Sequence, residues 1–182
     1  MRRDAQDRRE KLITAAAALF RRDGYHVPLE AIANQAGVGR ATLYRNFADR
    51  AALAIAVFER QLDALAREVE EVRHDAAAFF YPFLHRVARQ ALLHGPLIAS
   101  LEAEVHGQRL IDGLRARLDA VFAVPLAAAQ AAGVVRADLS VADMHRAAKM
   151  LVGAATRQAP EVQDQVIADA LVLLTDGLRP IR

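Results

Sequence analysis

Apolar residues recur three and four positions apart along almost the whole chain, and glycine or proline punctuates the gaps. Only one adjacent pair, Val134 and Val135, hints at a strand. This periodicity predicts an all-α protein of about nine helices. Asp7 followed by Glu10 reads as a capping box, so the first helix is expected from near Asp7, with Leu12, Ile13, Ala16, Leu19 and Phe20 inward and Gly24 at its end. Pro28 falls in the first turn of a short helix from Leu29 to Ala36, and a third runs from Arg40 to Phe47. A longer helix follows from about Asp49 to Val72, with Leu53, Val57, Leu62, Leu65 and Val69 inside. Further helices are expected over 75–94, 96–106, 108–132, 140–157 and 161–178, separated at Gly95-Pro96, Gly107, Gly133 and Pro160.

With 182 residues the chain is long enough to bury roughly two thirds of its unfolded surface. The absence of cysteine excludes a disulfide framework, a thiol nucleophile and cysteine-ligated zinc. No stretch approaches the roughly 18 apolar residues of a membrane helix, and Met1 leads directly into Arg2, Arg3 and Asp4, so the expectation is a soluble, cytoplasmic protein with no membrane partner. The formal charge of +2 hides an asymmetry: residues 1–50 carry ten Lys or Arg against six Asp or Glu, whereas the remainder carries fourteen against sixteen. Concentrated positive charge at one end fits a nucleic-acid partner for that end.

Residues 29–47, LEAIANQAGVGRATLYRNF, carry the pattern that gives this charge a use. Ala33 is small enough for a second helix to cross close by, and Gly37 tolerates the positive φ of a tight interhelical turn. Ile32, Val38 and Leu43 fall at the spacing of a miniature core, leaving Arg40, Thr42, Tyr44, Arg45 and Asn46 around the rest of the third helix. Arginine can bond guanine through two donors, asparagine can do the same with adenine, threonine can meet a base or a thymine methyl, and tyrosine can donate to a phosphate. The alternative is a solvated helical surface for the arginines and head-to-body packing for Tyr44 and Phe47. Arg2, Arg3, Arg8, Arg9 and Lys11 can add phosphate contacts or form a merely solvated terminus.

The segments LFRRDGY, LEAIANQAGVGRATLYRNF and DRAAL together resemble the head of the TetR family of bacterial regulators over roughly the first 55 residues. The resemblance implies a three-helix DNA-binding domain over residues 1–48 and a helical ligand-binding and dimerisation domain over 49–182. It also implies Arg40, Ala41, Thr42, Tyr44, Arg45 and Asn46 on a recognition helix, with Arg50 holding a phosphate. Where many relatives carry Thr or Ser, this chain has Val27 and Pro28, so a hydroxyl cap and phosphate contact at that point are not carried over. The implied activity is a sequence-specific regulator, a repressor released from its operator by a small molecule. A two-fold dimer presents two reading helices about 34–36 Å apart or a multiple of it, so the expected partner is a near-palindromic double-stranded operator.

Beyond the head, only GVVRADLS at 133–140 resembles the family, and the body is read from its own residues. Phe79, Phe80 and Phe83 flank Pro82, whose missing N–H is expected to kink the helix and open a pocket. Phe58, His85, Leu101 and His106 are candidate lining residues for an apolar effector cavity, together with Phe122 and Met150, each with ordinary core packing as its alternative. Met144, Ala148, Leu151, Val152 and Ala155 form one stripe on the penultimate helix, and Val166, Ala170, Leu171 and Leu174 form another on the last. Family resemblance puts a homodimer contact there; burial within one subunit is the alternative. Glu102 and His106 share a helical face, but neither they nor His74, His85, His94 and His145 supply a third metal ligand by spacing, so no metal or cofactor is expected. A helical enzyme or carrier without DNA selectivity and a non-specific architectural DNA binder are the rival classes; no phosphate loop, GxSxG elbow or nucleophile with its base supports an enzyme.

Overall fold

The computed structural model describes residues 2–72, 76–104 and 107–178. Among them are eight helices and no strand: α1 (Arg2–Asp23), α2 (Leu29–Gln35), α3 (Arg40–Asn46), α4 (Arg50–Val72), α5 (Ala76–Glu102), α6 (Gly107–Ala131), α7 (Val141–Ala155) and α8 (Pro160–Leu178). Three local expectations change. The first helix begins at Arg2, well before Asp7, so Asp7 and Glu10 lie on a helix surface and do not cap it. Asp4 in the first turn and Arg21 and Arg22 in the last suit the helix dipole at both ends. Pro28 stands at the N-cap of α2 (φ −57°, ψ 133°), outside its first turn, and supplies no side-chain hydrogen bond.

The third change reduces nine helices to eight. α5 runs without interruption through Gly95 and Pro96, where the local sequence predicts a break. A proline inside a helix removes one hydrogen bond and costs about 3 kcal/mol. Here the flanking turns are held by burial, with Phe83, Leu84 and Ala88 on one side of the proline and Leu97 and Leu101 on the other. Helix stability in proteins comes mainly from such packing, which outweighs the local signal.

The chain divides into two compact units, Met1–Asp63 with His94–Arg115, and Ala64–Leu93 with Ala116–Arg182. The first is built around Leu12, Ile13, Ile32, Leu43 and Leu53, with Leu97, Leu101 and Ile111 completing the core. The second is built around Phe80, Phe83, Phe122, Met144, Leu151 and Ile167. Within it α7 packs on α8, and α7 opens with a capping box: Ser140 Oγ accepts from the Asp143 amide at 3.2 Å while Asp143 Oδ2 accepts from the Ser140 amide at 2.9 Å.

Candidate nucleic-acid interface

The α2–α3 segment is fixed from beneath by its own apolar residues. Ile32, Ala33 and Leu43 are buried and Val38 is half-buried. Gly37 ends α2 at φ 66°, its amide bonding the Asn34 carbonyl at 3.1 Å, while the Val38 amide reaches back to the Ala33 carbonyl at 3.0 Å. This pair of bonds closes the helix and needs a residue that adopts positive φ without strain. The chain then passes through extended Gly39 into α3, which ends at buried Phe47. The Arg9 guanidinium covers the Phe47 ring at 5.1 Å, so of the roles open to Phe47 it is packing that the structure shows.

With Leu43 turned inward, α3 presents Arg40, Ala41, Tyr44 and Arg45 to solvent, and Thr42 and Asn46 are half-buried. Contacts within the face constrain these side chains. Arg40 Nη2 lies 2.9 Å from Glu30 Oε1, and its guanidinium carbon is 5.7 Å from the centre of the Tyr44 ring. Arg45 Nη2 donates to Thr42 Oγ1 at 3.1 Å, and Asn46 Nδ2 donates to the Thr42 carbonyl at 2.7 Å.

Arg50, at the start of α4, is engaged differently from the others. Its Nη1 donates to the Tyr25 carbonyl at 2.8 Å and also to the Val27 carbonyl, and its guanidinium lies 5.7 Å from the Tyr25 ring. It therefore clamps the loop between α1 and α2. The same loop is held from another side, because Tyr25 Oη donates to Glu104 Oε1 at 2.5 Å. Burial first, and the Glu104 carboxylate second, push the Tyr25 phenol far above its ordinary pKa, so it remains a donor.

The residues assigned to an effector pocket divide between the two units. Phe58 and Leu101 lie in the core of the first unit. Phe79, Phe80, Phe83 and Phe122 lie in that of the second, where Phe79 and Phe83 are 5.4 Å apart and Phe83 and Phe122 are 5.6 Å apart. Met150 is 57% exposed, because the buried stripe of α7 runs through Met144, Leu151 and Ala155 and turns Met150 outward. His106 lies outside the described residues, as does His74. His85 is half-buried and lines an open groove of about 410 Å³ with Pro82, Arg86, Arg89 and Gln90. Among the described residues no group of three or more His, Cys, Asp or Glu could hold a metal ion.

The stripes assigned to a dimer contact are also redistributed. Met144, Ala148, Leu151, Ala155 and Leu171 are buried in the core of their own unit, and Val152, Val166, Ala170 and Leu174 are half-buried. Among the described residues, the large apolar side chains left in solvent on α7 and α8 are Met150, Val162 at 45%, Val172 at 69% and Leu173 at 82%. Sequence reasoning passes over Val172, Leu173, Glu30 and Glu104. The stripe rule assigns one face per helix, and neither acidic residue has a partner at helical spacing.

Residues 12–57 match the family described as bacterial regulatory proteins, tetR family. Residues 74–180, more than half the chain, match the C-terminal domain of SbtR-like transcriptional regulators. The chain belongs to the TetR family. An HTH-type transcriptional regulator of Staphylococcus aureus (strain USA300) is 33% identical over 76 residues, 41% of this chain and 41% of the relative, so the match spans well under half the length of that curated relative. Two solved TetR regulators are alike over nearly their whole length. The protein from Mycobacterium vanbaalenii has 29% identity, 98% coverage of both chains and a TM-score of 0.72. The one from Streptomyces coelicolor has 29% identity, 96% and 99% coverage and a TM-score of 0.70. TetR regulators bind operator DNA and small-molecule ligands and are dimeric. In this TetR-family chain no described helix is long and apolar enough to cross a membrane.

Proposed function

We propose that this TetR-family chain is a cytoplasmic homodimeric repressor that places α3 of each subunit in successive major grooves of a near-palindromic operator and is released by a small molecule. The observation that carries this reading is the exposed face of α3, where Arg40, Tyr44 and Arg45 stand on a short helix anchored by buried Leu43. Arg40 and Arg45 are assigned to base edges, Thr42, Asn46 and Ala41 to closer packing against the groove, and Tyr44 to a phosphate. Arg50 is assigned mainly to holding the α1–α2 loop, with any phosphate contact secondary, since its guanidinium already binds two backbone carbonyls.

Dimerisation is assigned to the exposed apolar face of α7 and α8, centred on Val172 and Leu173 and extended by Val162 and Met150. The effector is assigned to the second unit, beside its aromatic core. α4 contributes residues to both units and is the proposed lever between the two activities. An effector acts only through different affinities for the operator-binding and released states.

The test is selection of bound duplexes from a randomised pool by the wild type and by Arg40→Ala, Arg45→Ala and Arg50→Ala. Substitutions at Arg40 and Arg45 are expected to relax preference at defined positions by about 5- to 150-fold, whereas Arg50→Ala weakens all duplexes together. Equal and uniform losses from all three, or a wild type that selects no sequence, would remove the reading.

A further inference from the structure

One acidic side chain stands on the surface assigned to DNA, where a carboxylate repels phosphates unless its charge is cancelled. Glu30 is the second residue of α2, and its side chain is 45% exposed. Its partner Arg40 is the first residue of α3 and is 66% exposed. A cation in that position meets the positive end of the helix dipole. Gly39 supplies no side-chain cap to α3, and no acidic residue lies in the first turn. The compensating charge comes instead from α2, through the 2.9 Å contact between Glu30 Oε1 and Arg40 Nη2. The Tyr44 ring lies 5.7 Å from the same guanidinium. Arg40 is thus held by a carboxylate and an aromatic face.

That arrangement has two physical effects. The Glu30–Arg40 pair is close to neutral, so Arg40 adds little to the phosphate attraction that drives sequence-independent binding. Its long side chain, otherwise free to sample phosphates, is held in one place, and the N–H groups not engaged by Glu30 remain available to a base. The geometry points to Glu30 as a positioning residue for specificity: it pins the Arg40 guanidinium beside Tyr44 so that the arginine reads a base edge in preference to gripping the backbone. This rests on the assignment of α3 as the reading helix and of Arg40 as a base contact.

The test uses the full-length protein and four variants, Glu30→Gln, Glu30→Asp, Arg40→Ala and Glu30→Gln with Arg40→Ala. Each is measured for base preference in a randomised duplex pool and for the salt dependence of binding to an unrelated duplex. Glu30→Gln is expected to bind the unrelated duplex more tightly, and to steepen the slope of log K against log salt by about 0.9 for each further phosphate neutralised. The ratio of operator to unrelated affinity should fall about 3- to 10-fold, with the loss confined to the base pair that Arg40→Ala also relaxes. Glu30→Asp should restore part of the preference, and once Arg40 is Ala, Glu30→Gln should leave base preference unchanged while still relieving phosphate repulsion on every duplex alike. A merely structural role for Glu30 predicts a lower melting temperature with both duplexes affected equally, and that result overturns the proposal. So does a Glu30→Gln effect on base preference that persists without Arg40. If Arg40→Ala relaxes a base preference and Glu30→Gln does not, the proposal alone falls; if Arg40→Ala relaxes none, the assignment of Arg40 falls and takes the proposal with it.

Discussion

Apolar surface is distributed very differently over the two units. Among the described residues of the first, the large hydrophobic side chain that stands in solvent is Tyr44, at 43%, and it lies on α3. The second leaves Leu93, Val124, Met150, Val162, Val172 and Leu173 exposed. Both have dense cores, so the contrast does not come from poor packing. It matches the partners proposed for each. A surface meant for a polyanion gains from arginine and a phenol and nothing from bare aliphatic groups, whereas a surface meant for its own copy gains from removing valine and leucine from water. Charge is uneven along the chain as well, since residues 1–50, all within the first unit, carry an excess of Lys and Arg over Asp and Glu that the rest of the chain lacks.

Placing charge on the second unit breaks the contrast most sharply. Replacing Val172 and Leu173 together by Asp is expected to convert the proposed dimer to a monomer, checked by sedimentation. Operator affinity should then fall by about 10²- to 10⁴-fold, because the second half-site loses the effective concentration that the first provides. Both side chains are exposed, so the fold of the monomer should change by only about 0.5 kcal/mol. A variant that remains dimeric with unchanged operator affinity would sink the assignment of that face.

Cavities in the two cores sharpen the same comparison at a smaller scale. Phe83→Ala in the second unit should cost about 3–5 kcal/mol and Leu43→Ala in the first about 2–5 kcal/mol, since both residues are fully buried. Their functional readouts should separate. Leu43→Ala releases α3 from its miniature core and should abolish operator binding while sedimentation still shows a dimer. Phe83→Ala should disturb assembly and effector response, with the reading helices retaining their base preference. Identical losses of DNA binding and assembly from both substitutions would show that the units are not functionally distinct.

The features legible in the sequence are those decided within a few residues. Gly37, Ala33 and Leu43 mark the helix-turn-helix because a tight turn, a close crossing and an inward side chain each demand a particular residue there, and Gly37 indeed has φ 66°. Ser140 and Asp143 mark the start of α7 for the same reason. What was not legible depends on distant contacts. Gly95-Pro96 has the local chemistry of a helix end, but burial of Leu84, Ala88, Leu97 and Leu101 keeps α5 continuous. Helices α7 and α8 carry apolar residues on more than one face, so periodicity could not tell which stripe its own chain would cover; Met144 and Leu151 went inside and Leu173 stayed out. Pairs such as Tyr25 with Glu104, 79 positions apart, have no sequence signature.

Single hydrogen-bonding groups give smaller expected effects, again one for each unit. Tyr25→Phe removes the donor to Glu104 and should lower the stability of the first unit by about 1 kcal/mol, loosening the α1–α2 loop that Arg50 also grips. Ser140→Ala removes half of the α7 capping box and should cost the second unit about 1 kcal/mol. Hydrogen exchange resolves the two: faster exchange around residues 24–29 in the first variant and around 141–144 in the second is expected. Spread of either effect across both units would contradict their independence.

Acid provides the gentlest separation of the units, and its direction follows from two opposite kinds of group. His94, in the first unit, contacts Phe58 edge-on at 5.6 Å, and burial, aided by nearby Arg21, holds its pKa below the ordinary 6.5. The unfolded chain therefore takes up a proton at this site near pH 6.5, before the folded chain does. Stability from neutral His94 is complete above that pH and declines as the pH falls through the window down to the folded-state value. In the second unit, hydrogen bonds from Ser140, with Arg146 helping, hold the Asp143 carboxyl below its ordinary 3.8. Its contribution is present above pH 3.8 and disappears only as the pH falls below that, through the folded-state value. The first unit should thus begin to loosen at a higher pH than the α7 cap. His94→Phe keeps an aromatic ring against Phe58 and removes the proton site, so it should flatten the melting-temperature profile just below pH 6.5 and leave the more acidic limb unchanged. An unaltered profile would mean that His94 stays uncharged in both states or that its protonation is balanced elsewhere in the first unit, and the acid distinction between the units would fail.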